Sequence, residues 1–304
     1  MLLPVLSAAD PINGRWIMQA NDPSVERVYY LELEGAGTAK IRGTFVGGAG
    51  GQSDPIRDAS YENGELKFAV EWVTGPAANR RTVRSETTAR LLGSKLQGAT
   101  TSRGKTYEWT GAREPEITDR DDGSWKERNP IVLFDGGNAS SWRVSGASDL
   151  KGWTAEGGIL HNLDGNAPLL TSQEKFWNFR MHQEYRVSEG SNSGVGLRGR
   201  YEIQIYDDFG RPASDHGNGA LYGRIAPKVN ASKPHTEWQT FDVTLIGRDL
   251  TVVHNGVTTI EKAHIPGYTA MATDRYEGEP GPITLQGDHG LVEFRKIVVV
   301  PLER

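Results

Sequence analysis

The sequence predicts an all-β protein of two domains, a small antiparallel β-barrel or β-sandwich followed by a larger β-sandwich. Three observations carry that expectation. Short segments alternate apolar and polar residues with a period of two, the signature of half-buried strands. Glycine is abundant, 37 of 304 residues, and it falls between those segments, where turns need positive φ. Sustained helical periodicity is missing throughout, and 304 residues are enough for two domains at roughly 150 residues each.

Taken in order, residues 1–9 (MLLPVLSAA) read as the remnant of a signal peptide, an apolar stretch followed by small residues, which predicts export to the periplasm or medium. Residues 10–114 form the first domain. RVYYLELEG and KIRGTFVGG are strand-like, and SYENGELKFAVEWV is a hairpin around Asn63-Gly64, the pair favoured in a type I′ turn. Gly93-Ser94 supplies a second two-residue turn. Trp16, Trp72 and Trp109 are candidates for a sugar-binding face, with core packing as the commoner use of tryptophan. This domain has no histidine, and its expected role is accessory. Residues 115–129 are charged and lack apolar periodicity, as a linker would.

The second domain, 130–304, holds all seven histidines. IVLFDGG, GWTAEGGILHN and APLLTS give three short strands. The stretch from Phe179 to Asp208 then reads as two strands joined by a polar turn. Phe179, Met181, Tyr185 and Val187 share one face of the first strand; Arg180, His182, Glu184 and Arg186 share the other. In the second strand Tyr201, Ile203 and Ile205 oppose Glu202, Gln204 and Tyr206. A register placing Glu184 opposite Arg198 would bring both polar rows onto one face, as the floor of a groove. A long, mostly irregular segment follows, of the kind that is commonly functional. QTFDVTLIGRDLTVVHNGVTTIEK forms strands around Asn255-Gly256, and GPITLQGDHGLVEFRKIVVVPL closes the chain with two more.

Composition excludes several functions. A net charge of −5 lacks the basic excess of a nucleic-acid binder. No apolar run approaches the roughly 20 residues of a membrane-spanning helix. Cysteine is absent, so disulfides, thiolate metal sites and a cysteine nucleophile are ruled out. No Ser-His-Asp elbow, P-loop or dinucleotide glycine pattern is present, and no nucleotide cofactor is expected.

Six segments of the second domain together resemble the 3-keto-disaccharide hydrolase family, also described as 3-keto-glucoside 1,2-lyase/hydratase domains. They are LFDGGNASSW, NSGVGLRGRYEIQIYDD, ALYGRIAP, the pair Glu237-Trp238, VVHNGV and LQGDHGLVEFRKI, spanning about residues 130–302. Gly287 interrupts a simpler LQDHG-type run, and Lys296 stands where Asn is common. The resemblance implies a concanavalin-A-like jelly roll of two antiparallel sheets and a carbohydrate substrate. The spacing of Glu202, Gln204 and Asp207 also resembles the E-x-D-x-x-E strand of laminarinase-type glucanases, but with an amide in the middle position. A retaining glycosidase needs two carboxyl groups about 5–5.5 Å apart, so Gln204 weakens that alternative.

A 3-keto sugar offers another route, because its carbonyl acidifies the C2 hydrogen. Removing that hydrogen, expelling the C1 substituent and adding water requires a base, a group for the enolate oxygen and a proton donor. Glu202 or His182 is the candidate base. Arg198, or a divalent metal held by Glu, Gln and His ligands, would stabilise the oxyanion, and Asp207 or Glu184 would donate the proton. Asn192, Gln204, Tyr222, Gln286 and His289 are the candidate substrate-binding residues. The competing reading of the same fold is a lectin-like binding protein without catalysis.

Overall fold

The computed structural model describes residues 10–22, 24–47, 51–74 and 79–304; the suspected signal remnant, 1–9, lies outside the described residues. Among the described residues there is no α-helix, and none long and apolar enough to cross a membrane. The chain divides into two compact units, 1–114 and 115–304.

Among the described residues the first unit contains nine antiparallel strands. They are β1 (Gly14–Ala20), β2 (Val28–Glu34), β3 (Arg42–Val46), β4 (Ser53–Pro55), β5 (Arg57–Glu62), β6 (Glu65–Thr74), β7 (Arg81–Leu92), β8 (Lys95–Ser102) and β9 (Lys105–Arg113). Their order is β4-β3-β2-β1-β9-β8-β7-β6-β5, a meander in which β9 returns to pair with β1. Only Ile56 separates the two end strands in the chain, so the sheet curls into a barrel. Its inward row includes Trp16, Leu31, Leu33, Phe68, Leu96 and Trp109, all buried. Trp16 and Trp109 are therefore core residues rather than a sugar platform. The turns follow the sequence: Asn63 and Gly64 take φ of 51° and 73°, the type I′ combination. Arg103-Gly104, at 50° and 75°, forms a further turn of the same kind that the sequence had not singled out.

The second unit is a sandwich of two antiparallel sheets, a concanavalin-A-like jelly roll. Its strands are β10 (Lys126–Glu127), β11 (Ile131–Phe134), β12 (Trp142–Val144), β13 (Trp153–Glu156), β14 (Ile159–Asn162), β15 (Ala167–Phe176), β16 (Phe179–Val187), β17 (Asn192–Leu197), β18 (Tyr201–Tyr206), β19 (Gln239–Ile246), β20 (Asp249–His254), β21 (Val257–His264), β22 (Gly281–Gly287) and β23 (Val292–Glu303). The larger sheet runs β13-β14-β23-β16-β19-β20-β21, with β10 and β11 also paired to β23. The smaller runs β12-β15-β22-β17-β18. Met181, Tyr185, Val195, Ile203, Ile205, Phe241, Leu285 and Phe294 fill the space between them, none more than 2% exposed.

Two expectations need correction here. Residues 115–129 are not a free linker. Asp119 accepts hydrogen bonds from Trp177 Nε1 and Asn178 Nδ2, both 2.8 Å, and the Asp121 amide donates to Asp249, so the segment is laid along the second unit. The stretch from Phe179 to Asp208 is three strands, not two. β16 belongs to the larger sheet, and the chain crosses at 188–191 to the smaller one, where β17 and β18 form the hairpin. Sequence alternation gave each strand its buried face correctly but could not reveal that crossing. Its consequence is large, because the polar rows of β16 and β18 face outward from opposite sides of the sandwich.

Candidate active site

The site is built on the outer face of the smaller sheet. Because Tyr201, Ile203 and Ile205 point into the core, Glu202, Gln204 and Tyr206 point outward. Opposite them on β17 lie Gly196, Gly194 and Asn192 respectively. The glycines leave room for neighbouring side chains. A Cβ on Gly194 would come within 2.4 Å of the Glu202 Oε1, so the carboxylate lies across that backbone. A Cβ on Gly196 would meet Thr284 Oγ1 at 2.1 Å and Met271 Cε at 2.9 Å. The next strand, β22, brings Thr284 alongside Gly196, with Gln286 two residues on along the same face.

Beyond β18, residues 219–222 of the long segment add a further edge. The Gly219 amide donates to Gln204 O, the Gln204 amide to Ala220 O and the Tyr222 amide to Glu202 O. Leu221 bridges Ile203 and is equally buried, so Tyr222 stands next to Glu202 on the outer face. Burial, then the Glu202 and Asp215 carboxylates, push the Tyr222 phenol up to about 12, which keeps it protonated at neutral pH. The His216 ring packs edge-on against Tyr222, centroids 4.7 Å apart, and its Nδ1 lies 2.9 Å from Asp215.

Gln204 Nε2 donates to Asn192 Oδ1 at 3.1 Å. The remaining polar atoms of this floor are unusual. Gln204 Oε1, Thr284 Oγ1 and Gln286 Oε1 are all buried without a hydrogen-bond partner. A buried polar atom left unpaired costs about 1–3 kcal/mol, so these three oxygens are acceptors open to a partner. Glu202 itself is only 3% exposed, and its amide is held by Thr269 Oγ1 at 2.9 Å.

A buried network fixes the segment that delivers Tyr222. Asp208 accepts from the Asn218 amide and from Ser232 Oγ; Asn218 Oδ1 accepts from Tyr185; and Tyr185 reaches His254, which meets Gln239. His254 is fully buried, and burial lowers its imidazole to about 4, with Lys233 contributing. The unfolded chain therefore binds the extra proton between pH 6.5 and 4, and stability falls as pH drops through that window. The expected loss is about 3 kcal/mol, flattening below pH 4. Thermal melts across pH check this, and His254→Gln should remove most of the slope.

The other predicted site residues fall elsewhere, and three are corrections. His182 and Glu184 lie on the outer face of the larger sheet. His182 Nδ1 is 2.7 Å from Asp242 on β19, and Glu184 is paired with Arg295 on β23. Burial works against it, but Arg295 and His182 hold the Glu184 carboxyl below its ordinary range, so it is an ionised partner and not a proton donor. Arg198 is not an oxyanion group. It sits in the β17–β18 turn with φ of 55°, wholly buried, donating to Trp177 O, Gly247 O and Asn178 Oδ1. Asp207 clamps the crossing turn by accepting from the Gly190 amide at 2.8 Å. His289 stands exposed at the rim, where its carbonyl accepts from the Asn192 amide. Of the ten, the structure gathers Glu202, Gln204, Asn192, Tyr222 and Gln286. His182→Ala and Glu184→Gln should each leave kcat within about twofold of the parent, since exposed pairs contribute little and neither touches this face.

Thr284, Met271, Thr269, Asp215 and His216 were missed. Thr284 was legible, since it alternates with Gln286 in ITLQG; the others come from loops whose approach no local pattern encodes. Among the described residues no three His, Asp or Glu side chains gather as a group that could hold a metal ion.

The face lies on a two-sheet antiparallel sandwich of the jelly-roll class. The chain belongs to the 3-keto-alpha-glucoside-1,2-lyase-like domain family, whose profile matches residues 129–300. It is 26% identical over 159 residues to the 3-keto-disaccharide hydrolase of Bacteroides thetaiotaomicron, covering 41% of this chain and 54% of that protein. The match thus spans about half the length of that curated relative. Two solved proteins of Parabacteroides distasonis, designated candidate glycosyl hydrolases, are also similar. One is 26% identical with a TM-score of 0.48, over 61% of this chain and 91% of its own. The other is 20% identical with a TM-score of 0.46, over 57% and 94%.

Proposed function

We propose that the second unit cleaves 3-keto-glycosides by elimination and hydration on the outer face of the smaller sheet. The observation that carries this reading is the placement of Glu202 beside Tyr222 above the unpaired oxygens of Gln204, Thr284 and Gln286. A carboxylate base and a neutral phenol donor are what the reaction needs, and the unpaired oxygens accept from sugar hydroxyls. Family membership agrees with a carbohydrate substrate.

In this mechanism Glu202 takes the C2 proton, made acidic by the C3 carbonyl. The electron pair becomes the enolate, then forms the C1–C2 double bond as the C1–O bond breaks. Tyr222, held protonated by burial and by its carboxylate neighbours, would supply a proton to the departing oxygen. Water then adds its oxygen to C1 and returns a proton to the Tyr222 phenolate, while Glu202, its proton exchanged with solvent, delivers a solvent-derived proton to C2, so the net change is hydrolysis of the glycosidic bond. No step is routed through a metal.

The test compares glucosides with their 3-keto forms. The purified chain should release aglycone only from the oxidised set, since elimination requires the carbonyl. Tyr222→Phe should lower kcat about a hundredfold while leaving the melting temperature near the parent value. Cleavage of unoxidised glucosides would indicate an ordinary glucan hydrolase, and binding without turnover a lectin; either contradicts the proposal.

A further inference from the structure

On the opposite side of the sandwich, on the outer face of the larger sheet, lies a cleft of about 270 Å³ that the proposed reaction does not use. Its size is near the lower end of small-ligand sites, roughly 300 Å³. Strand register explains its floor. Arg180 on β16 stands opposite Thr244 on β19, and Thr244 opposite Thr251 on β20. Thr258 on β21, opposite Val253 in the next row, adds a third hydroxyl to the lining, with Ile246 as an apolar patch. One wall is the segment 121–125, which the chain lays along this unit and which presents Trp125. That indole is fixed: Nε1 donates to Arg120 O at 2.9 Å, and Arg304 lies over the ring at 4.8 Å.

The charges lining the cleft decide the ligand class. Arg180 and Lys262 are balanced by Asp121 and Glu261, so the cleft has no net charge. Each is already engaged: Arg180 with Glu127, Lys262 with Asp121 and Glu261 with Lys228. A phosphate, a sulfate or a polyamine would find no surplus of opposite charge. A neutral polyhydroxylated ring would find donors and acceptors of both kinds, threonine hydroxyls below it and a rigid aromatic edge beside it.

We propose that this cleft is a second carbohydrate-binding site, one that holds a neutral, unoxidised oligosaccharide and does no chemistry. It would retain the chain on a glycan while the other face processes oxidised sugar units. Because the two faces share no residue, the proposal stands or falls separately from the reaction at Glu202.

The test titrates the full chain with maltotriose and with cellotriose, by calorimetry and by protein NMR, in the parent, Glu202→Gln, Trp125→Ala and Thr244→Val proteins. The parent and Glu202→Gln should bind at least one trisaccharide with the same millimolar affinity. Trp125→Ala and Thr244→Val should each weaken it at least fivefold while leaving turnover of a small 3-keto-glucoside unchanged. No binding of either sugar, binding equal in all four proteins, or loss confined to Glu202→Gln would overturn the proposal. So would tighter binding of inorganic sulfate than of the sugars.

Discussion

Glu202→Gln is expected to lower kcat on a 3-keto-glucoside by about a thousandfold, the usual scale for removing a general base, without lowering the melting temperature. The substitution is nearly isosteric. Glu202 is buried, and the Thr269 hydroxyl and the Tyr222 amide, which hold its backbone, stay in place when the side chain changes. What disappears is the group that takes the C2 proton. The neighbouring phenol should respond as well. Part of the upward push on Tyr222 comes from the Glu202 carboxylate, so its titration should move to lower pH in the variant while burial and Asp215 keep it raised. Activity within tenfold of the parent would remove Glu202 from the mechanism.

Arg198→Met should do the reverse, damaging stability and sparing chemistry. The guanidinium is fully buried, lies 4.1 Å from the Trp177 ring centre and satisfies two backbone carbonyls and the Asn178 amide oxygen. Burial lowers it to about 10, still charged at neutral pH. Methionine fills part of the volume but takes the guanidinium donors away from the Trp177 and Gly247 carbonyls, while Asn178 Oδ1 keeps the Gly247 amide. The expected cost is about 3 kcal/mol or more, or roughly 10 °C in Tm for a unit of this size. Turnover per folded molecule, measured well below that Tm, should stay within threefold of the parent. An unchanged Tm with a collapsed kcat would return Arg198 to the oxyanion role that its sequence position suggested.

The contrast between these two residues shows where sequence reasoning worked. Period-two alternation assigned the buried and outward rows of β16 and β18 correctly, so Glu202, Gln204 and their neighbours could be named without coordinates. Asn63-Gly64 and Asn255-Gly256 announced their hairpins because both positions need positive φ. Alternation is local, however, and says nothing about which sheet a strand joins. The chain between Val187 and Asn192 crosses from one sheet to the other, and that step separates His182 and Glu184 from Glu202. Arg198 misled for a related reason. A charged residue beside a hairpin glycine resembles an exposed turn, whereas here Trp177, Asn178 and Gly247 converge to bury it. Tyr222 was recognisable only as an aromatic in a long irregular segment; the Asp208–Asn218–Tyr185–His254 network that positions it joins residues up to 69 apart in sequence.

The most direct measurement of the central claim is hydrolysis of a 3-keto-glucoside in heavy water, with mass analysis of the sugar product at early times. Elimination and hydration at Glu202 break and remake the C2–H bond, so the released 3-keto sugar should carry one deuterium at C2, and Glu202→Gln should suppress its formation. Product released at the parent rate with its original C2 hydrogen would mean that the glycosidic bond is cleaved by direct displacement, and the account would be contradicted.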